Sequence, residues 1–321
     1  MSRISQPARV LIAAGVGLTL ALPEIAPAAT RPTVATGTTT RLTPTTVRLG
    51  ATVDPNGAKT TYLFQYGNTD LYGTSTPITV AGSGTTKLTI KAEVGALAPA
   101  TTFHYRLVAR NAGGVSNGAD RTVKTLSQPL ALSLLAKPNP VLFGRGTTIY
   151  GVLTGTGNAN RQIQLQASPF PHTAGFVNVG NPQVANAQGA FAFTLLTVAL
   201  NTQYRVALPS KPEVLSPTVG LGVFPRVSTH VSDRTVRTGA SVRFSGTVRP
   251  ARNGTRIVIQ RLRGNRWGFV AATKARKGGQ KFSRYAKRIR IRKGGSYRVL
   301  VDSADGSYVP SAGRSIKIRR F

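Results

Sequence analysis

Three nearly identical short segments recur along this 321-residue chain, about one domain length apart. They are HYRLVAR around Tyr105, TQYRVAL around Tyr204 and SYRVLVD around Tyr297, so the tyrosines lie 99 and 93 residues apart. In an extended strand, each tyrosine shares a face with the aliphatic residue two positions later, and the intervening arginine lies on the other face. The repetition therefore predicts one strand built three times, with the tyrosine packed inside and the arginine facing water.

The rest of the composition favours strands joined by turns. Threonine and valine recur throughout, and 34 glycines and 20 prolines supply turn residues. Residues 47–53 and 60–67 are typical of strands, and DPNG at 54–57 is typical of the turn between them. A chain of this length with 40% hydrophobic residues can bury two or three domain cores. We therefore predict an all-β fold of three tandem β-sandwiches.

The N-terminus has the pattern of a secretory signal peptide. Arg3 and Arg9 precede an uncharged apolar run of 13 residues at 10–22, and small residues follow near position 28. A membrane-spanning helix needs about 20 apolar residues, so an uncleaved anchor is the less favoured alternative. Residues 1–29 are thus predicted to be a signal peptide, cleaved after residue 28 or 29, and the mature chain to be secreted or peripheral to the cell surface. The chain has no cysteine, which excludes disulfides, thiolate metal ligands and cysteine catalysis.

The first unit carries a recognisable strand signature. It consists of Leu97-x-Pro99-x-Thr101-x-Phe103, Tyr105-Arg106-Leu107, Val53-x-Pro55-Asn56-Gly57 and Tyr62-x-Phe64-x-Tyr66-Gly67. With these residues, positions 33–126 resemble a fibronectin type III domain of the kind found in exported bacterial proteins. The resemblance implies a β-sandwich. Phe103 stands where that family usually has a tyrosine, so the family's corner hydrogen bond cannot form there.

The second and third units repeat one another. GRGTTIYG at 144–151 matches GASVRFSG at 239–246, and IQLQ at 163–166 matches IVIQ at 257–260. Further matches pair Phe176 with Phe269, Phe191-x-Phe193 with Phe282-x-x-Tyr285 and Tyr204 with Tyr297. The offset stays between 93 and 95 residues where the alignment is clean, which indicates duplication of one unit.

Both repeated units resemble bacterial Ig-like repeats. The third carries that family's "V-x-L-Q-R … G-x-W … Y-R-V" pattern most completely, through residues 258–261, Gly264, Trp267 and residues 297–299. In the second unit PFPHTAG at 169–175 replaces the short hairpin. The resemblance implies an Ig-like β-sandwich for each unit. The predicted domains are residues 30–127, 128–223 and 224–321.

Catalytic groups are scarce in this sequence. There are nine acidic residues and three histidines, His104, His172 and His230, and none of the histidines has a second ligand at metal-binding spacing. Asp302 and Asp305 precede a glycine, but a calcium loop would need further carboxylates, so a turn explains them better. We therefore predict a protein that is not an enzyme and has no cofactor and no metal.

Charge is the one feature that points to a partner. The chain has a net charge of +33, and residues 226–321 hold 25 basic and 3 acidic residues, a net of +22. KRIRIRKGG at 287–295 and SIKIRRF at 315–321 alternate cations with isoleucines, which places the cations on one strand face. The predicted polyanion-binding residues are Arg256, Arg261, Arg263, Arg266, Lys274, Arg276, Lys277, Arg288, Arg290, Arg292, Lys317 and Arg319.

Several functions are compatible with this pattern. The favoured one is cell-surface attachment or spacing, in which the basic third domain binds an anionic cell-envelope polymer or polysaccharide electrostatically. Alternatively, the arginines only solvate exposed strands and prevent aggregation at sheet edges. The second candidate is a carbohydrate-binding accessory protein, which would need an exposed platform among Trp267, Phe269 and Tyr285. A hydrolase, which would need converging acids, comes third, and no motif indicates sequence-specific nucleic-acid binding.

Overall fold

The computed structural model describes residues 28–321. Nearly all of the predicted signal peptide, residues 1–29, therefore lies outside the described residues. Between residues 28 and 321 the regular structure is β-strand without any α-helix, so no helix in this range could cross a membrane. The chain forms mainly antiparallel sheets that face each other in pairs around three hydrophobic cores, which confirms the predicted all-β sandwich class.

The first sandwich contains nine strands. They are β1 (Thr33–Thr36), β2 (Val47–Asp54), β3 (Thr60–Gly67), β4 (Thr74–Ser75), β5 (Thr79–Gly82), β6 (Leu88–Val94), β7 (Thr102–Asn111), β8 (Gly114–Asn117) and β9 (Arg121–Lys124). One sheet has the order β1-β2-β6, and the other has the order β4-β3-β7-β8 with β5 and β9 at its margins. Tyr105 is buried on β7 and donates a hydrogen bond to the Gly37 carbonyl at 2.8 Å. This bond links β7 to the connection between β1 and β2, which belong to the opposite sheet. The corner hydrogen bond discussed above is still absent, because Phe103 has no hydroxyl.

The second sandwich contains twelve strands. They are β10 (Ala131–Leu132), β11 (Leu135–Lys137), β12 (Val141–Leu142), β13 (Thr147–Thr154), β14 (Gln162–Pro169), β15 (Val177–Asn178), β16 (Gln183–Val184), β17 (Ala190–Leu195), β18 (Thr202–Leu208), β19 (Lys211–Leu215), β20 (Val219–Leu221) and β21 (Val223–Phe224). β13 pairs with β10, β11 and β17, whereas β14 and β18 form the centre of the opposite sheet. Ile149 and Leu165, from opposite sheets, belong to the shared core.

The third sandwich contains eleven strands. They are β22 (Arg226–Val227), β23 (His230–Val231), β24 (Thr235–Val236), β25 (Ser241–Arg249), β26 (Arg256–Arg263), β27 (Arg266–Lys274), β28 (Arg276–Lys277), β29 (Ser283–Arg290), β30 (Gly295–Val301), β31 (Ser311–Ala312) and β32 (Ile316–Arg320). One sheet has the order β22-β25-β29-β28, and the other has the order β24-β32-β30-β26-β27. Phe244, Ile257 and Val299 are fully buried between them.

Strand pairing supports the duplication read from the sequence. β13 pairs with β17 as β25 pairs with β29, and β14 pairs with β18 as β26 pairs with β30. Each unit also has a short parallel pair, β12 with β21 and β24 with β32. Gly151 lies opposite Phe191 and Gly246 lies opposite Tyr285, so Tyr285 rather than Phe282 is the counterpart of Phe191.

One side-chain contact on the outer face is repeated in all three sandwiches. The central-strand arginine donates through Nε to a cross-strand glutamine, at 2.8 Å in all three units, and its guanidinium lies 4.2–4.6 Å from an aromatic ring centre. The three sets are Arg106 with Gln65 and Tyr72, Arg205 with Gln166 and Phe176, and Arg298 with Gln260 and Trp267. The arginine predicted to face water therefore covers an aromatic ring, and the contact stabilises both groups.

Residues 127–321 form one compact unit, whereas residues 28–126 belong to another. The Pro-containing segment 215–227 spans the predicted boundary between residues 223 and 224, and most of it forms β20, β21 and β22. The loop before β31 packs on the second sandwich, because Tyr308 joins its hydrophobic core and Asn201 donates to the Gly306 carbonyl at 2.8 Å. The second and third sandwiches are thus joined by packing, and the domain boundaries given above stay predictions.

A buried arginine supports this loop. The Arg252 guanidinium lies 4.6 Å from the Tyr308 ring centre and 2.8 Å from a carboxylate oxygen of Asp305. Its side chain is only 9% exposed, whereas that of Asp305 is 54% exposed. Partial burial raises the pKa of Asp305, but hydrogen bonds from Arg252 and Ser307 lower it by more, so the net shift is downward.

We expect Gly246→Ala to destabilise the third sandwich. An added Cβ would lie 1.9 Å from the Ser228 carbonyl oxygen, so the backbone must move, at a cost of about 3 kcal/mol. Urea unfolding followed by fluorescence of Trp267, the single tryptophan, measures this loss. Ser245→Ala, one residue earlier on β25, adds no volume and should change stability by less than about 0.5 kcal/mol. Equal stabilities of the two variants would contradict the close approach.

We expect Asp305→Asn to lower the free energy of unfolding by about 1 kcal/mol at pH 7, near the upper limit for a partly exposed ion pair. The pKa of Asp305 is depressed in the folded state, so its contribution exists above the ordinary aspartate pKa and is lost as the pH falls through the folded-state pKa. The difference between variant and parent should therefore shrink below about pH 4. Asp302→Asn is the control, because its 4.0 Å contact with Arg256 is exposed and should contribute less. Similar effects of the two variants, or no change with pH, would contradict the role of Asp305.

Candidate functional site: a basic groove at the end of the third sandwich

The predicted polyanion-binding residues are distributed over five strands and one loop of the third sandwich. β26 carries Arg256, Arg261 and Arg263, β27 carries Arg266 and Lys274, β28 carries Arg276 and Lys277, β29 carries Arg288 and Arg290, the following loop carries Arg292, and β32 carries Lys317 and Arg319. The alternation predicted from the sequence holds on β29 and β32, where the isoleucines are buried and the cations between them are exposed.

The inward face of β26 changes character along its length. Ile257 and Ile259 are completely buried in the core, and the next residues on the same face are Arg261 and Arg263. β26 thus extends beyond the core. At the open end of the sandwich its inward-facing side chains are the guanidinium groups of Arg261 and Arg263. A two-residue turn follows, in which Gly264 takes a φ of +56°, a left-handed conformation that glycine adopts without strain.

At this end a basic groove of about 720 Å³ opens to solvent. The residues that line the basic groove are Arg261, Arg263, Phe269, Val270, Arg290, Arg292, Lys293 and Tyr297. The cations come from both sheets and from the loop that follows β29, so five positive charges meet around one opening. No acidic side chain lines it among residues 28–321.

A second groove, of about 590 Å³, adjoins the same loop. The residues that line this C-terminal groove are Lys293, Gly294, Gly295, Lys317, Ile318, Arg319 and Arg320. Lys293 belongs to both grooves. Lys293 and Arg320 are not among the predicted site residues, although both lie in the basic runs at 287–295 and 315–321.

Tyr297 holds the loop between the grooves in place. Its hydroxyl donates to the Lys293 carbonyl at 2.6 Å, and Arg261 donates through Nε to the Gly294 carbonyl at 3.1 Å. Burial raises the pKa of Tyr297, although the nearby positive charges of Arg261 and Arg263 oppose this shift. The repeated tyrosine thus has a structural role here, because it fixes the backbone from which the basic loop projects.

Few acids neutralise this domain. Within residues 226–321 the ion pairs join Arg252 to Asp305 and Arg256 to Asp302, and both lie outside the two grooves. Like charges even face each other across strands. The pairs are Arg263 with Arg266, Arg276 with Arg284, Arg288 with Arg243 and Arg226 with Arg249. Directly opposed like charges destabilise a sheet, so this surface carries an electrostatic cost that an anion would relieve.

The structure brings only part of the predicted set together. Arg261, Arg263, Arg290 and Arg292 converge on the basic groove, and Lys317 and Arg319 converge on the C-terminal groove. The remaining residues, Arg256, Arg266, Lys274, Arg276, Lys277 and Arg288, line neither groove. These six residues add to the positive electrostatic potential of the domain but do not line a defined cavity.

The three candidate aromatic residues have different environments. Tyr285 is 3% exposed and donates to the Ser228 carbonyl, and burial raises its pKa to about 12 against the opposing effect of Thr229. Trp267 is half-buried, with the Arg298 guanidinium 4.3 Å from its ring centre. Phe269 is 56% exposed and lines the basic groove. Phe269 is therefore the exposed one of the three, and its register opposite Gln260 puts its ring on the same outer face of β27 as Trp267.

Of the three histidines, His104 has an acidic side chain within hydrogen-bond distance. His104 contacts Asp120 at 2.8 Å, and Asp120 also accepts a hydrogen bond from the Tyr72 hydroxyl, so the histidine is paired on the sandwich surface. Across residues 28–321, no group of three or more histidine, aspartate or glutamate side chains could hold a metal ion.

No family model matches the chain, and no curated protein matches it in sequence. Among solved structures, the tetra-tandem repeat in the extending region of a large adhesion protein is 14% identical, with 89% of this chain and 74% of that chain covered and a TM-score of 0.33. The FN1-FN3 domains of chicken CNTN1 are 17% identical, with 89% and 97% covered and a TM-score of 0.28. The sensor domain of the anti-sigma factor RsgI4 of Pseudobacteroides cellulosolvens is 22% identical over 30% of this chain and 89% of that chain, at a TM-score of 0.21. These likenesses carry no argument about function, and the sandwich architecture follows from the sheets and cores described above.

We expect Trp267→Leu and Phe269→Leu to have different effects on the free energy of unfolding, because Trp267 packs against Arg298 and Phe269 is largely exposed. Loss of the contact between Trp267 and Arg298 should lower the free energy of unfolding by about 1 kcal/mol. Phe269→Leu removes a ring that is mostly in water and should change stability by less than about 0.5 kcal/mol. Urea unfolding followed by far-UV circular dichroism measures both variants. A comparable loss in Phe269→Leu would show that its ring is needed for folding and is not free to bind.

Proposed function

We propose that this chain is an exported, non-enzymatic, multi-domain β-sandwich protein that attaches to a cell surface. Its third sandwich binds an anionic cell-envelope polymer or polysaccharide, and the other two sandwiches serve as spacers. The observation that carries this proposal is the convergence of five cationic side chains on the basic groove without an acidic residue in its lining among the described residues.

The charge distribution supports a polymeric ligand over a small one. Cations line two adjacent grooves that share Lys293, and further cations continue along β27, β28 and β29. A polymer with regularly spaced negative charges can contact many of these groups at once, and each contact releases counterions. The arginine guanidinium suits such ligands because its planar donors match carboxylate and phosphate oxygens.

We expect the full chain to bind purified bacterial cell-wall sacculi that retain their anionic polymers, with an affinity that falls steeply between 50 and 500 mM salt. Arg288→Gln, Arg290→Gln and Arg292→Gln in one variant should weaken binding. The slope of log affinity against log salt should drop by roughly one for each of these arginines that contacts the polymer. Sedimentation of the protein with the sacculi across a salt series measures both effects.

A charge-matched variant provides the control. Lys87, Lys91 and Lys124 are exposed on the first sandwich, and their joint replacement by Gln removes the same charge far from the grooves in sequence. This control should bind almost as well as the parent. Retention that does not depend on salt, or equal losses in the two triple variants, would contradict a binding surface on the third sandwich.

A further inference from the structure

The outer face of the sheet β22-β25-β29-β28 carries a second cluster of cations, separate from the grooves. β25 and β29 bury alternate residues such as Phe244 and Tyr285, so the residues between them point to solvent. Five arginines on this side of the sheet are exposed and line neither groove. We call them the arginine face, which consists of Arg243, Arg249, Arg276, Arg284 and Arg288.

Strand register places these arginines side by side. Arg288 lies opposite Arg243, and Arg284 lies opposite Arg276. Among residues 28–321, the five side chains form no ion pair, and the strands of this sheet contain no acidic residue. Their guanidinium groups are therefore available to an anion from outside the chain.

The duplicated second sandwich shows that the fold does not require these charges. Its register makes Thr148 opposite Thr194 the counterpart of Arg243 opposite Arg288. The counterparts of the other two arginines on β25 and β29 are also uncharged, namely Thr154 and Ala190. Opposed like charges destabilise a sheet, so arginines at these positions are better explained by binding than by folding.

We infer that the arginine face binds the surface of an anionic lipid bilayer. This second contact goes beyond the proposed function, which concerns a polymer. β25 spans about 30 Å and the four strands together about 15 Å, so the five charges are spread over a plane and not along a line. A bilayer presents its phosphates in a plane, and each arginine near that surface strengthens binding about fivefold.

The open shape of the face favours a bilayer over a polymer or a nucleic-acid strand. A linear chain that follows one strand would reach two or three of the arginines, whereas a plane of headgroups reaches all five. Single-stranded nucleic acids also need several aromatic rings for stacking. The aromatic ring at this edge, Phe282, is half-buried and lies within 5.6 Å of the Arg249 and Arg284 guanidinium groups. Small side chains occupy the positions between the arginines, namely Ser245, Thr247 and Ala286.

Co-sedimentation of the full chain with lipid vesicles at about 150 mM salt tests this inference. We expect binding to vesicles of equal parts phosphatidylglycerol and phosphatidylcholine, and no binding to pure phosphatidylcholine. The face variant, Arg243→Thr with Arg288→Thr, introduces the threonines of the second sandwich and should weaken vesicle binding roughly 25-fold. Because it removes an opposed pair of like charges, it should be at least as stable as the parent in urea.

Two double variants that remove the same charge serve as controls. Arg292→Gln with Lys293→Gln changes the basic groove, and Lys87→Gln with Lys91→Gln changes exposed residues of the first sandwich. Each should weaken vesicle binding by less than about threefold, through net charge alone. The groove variant should instead reduce retention on the sacculi, which the face variant should change little.

Vesicles and sacculi are measured separately, so the outcomes distinguish this inference from the proposed function. Absence of binding to the anionic vesicles, or equal losses in the three double variants, would overturn the lipid contact and leave attachment to the polymer intact. If the face variant loses the sacculi as strongly as the vesicles, the face takes the polymer and the inference is wrong. If the parent binds vesicles but not sacculi, the lipid contact stands and the proposed function fails.

Discussion

Every feature of this molecule depends on the burial of alternate side chains between facing sheets, because the chain has no cysteine and so no disulfide to supplement its cores. The central strands β7, β18 and β30 show this most clearly, since each buries its repeated tyrosine and the aliphatic residue two positions later. When every second side chain of a strand is buried, the side chains between them point outward at fixed positions. The outer surface is therefore as regular as the core, and it is this surface that differs among the three sandwiches.

The sequence predicted the repeated strand, the all-β class and the exposure of the cations on β29 and β32, because all three follow from a period of two. It did not predict that Arg106, Arg205 and Arg298 each cover a ring. Those rings are a tyrosine, a phenylalanine and a tryptophan, and they lie at different distances from the arginines in sequence. A signal was present in Gln65, Gln166 and Gln260, which recur 41, 39 and 38 residues before the arginines, but their pairing depends on strand register.

The grooves could be predicted only in part, for a reason that lies in β26. Alternation places Arg261 and Arg263 on the same face as Ile257 and Ile259, which taken alone would put guanidinium groups in the core. The length of the core relative to the strand decides the outcome, and a sequence does not show where the opposite sheet ends. The basic loop after β29 was visible as a run of charges, yet its position beside β26 follows from the sandwich closing on itself.

Charge and fold are linked in the third sandwich in a way that bears on its ligand. Opposed cations such as Arg288 and Arg243 repel each other across β29 and β25, and repulsion of this kind raises the free energy of the folded domain. An anion that binds the folded surface removes part of that repulsion and adds its own binding energy, so it stabilises the domain by mass action. The same arginines that weaken the free domain thus strengthen the bound one. This reciprocity gives the charged surface a thermodynamic preference for the occupied state, which apolar residues at the same positions could not provide.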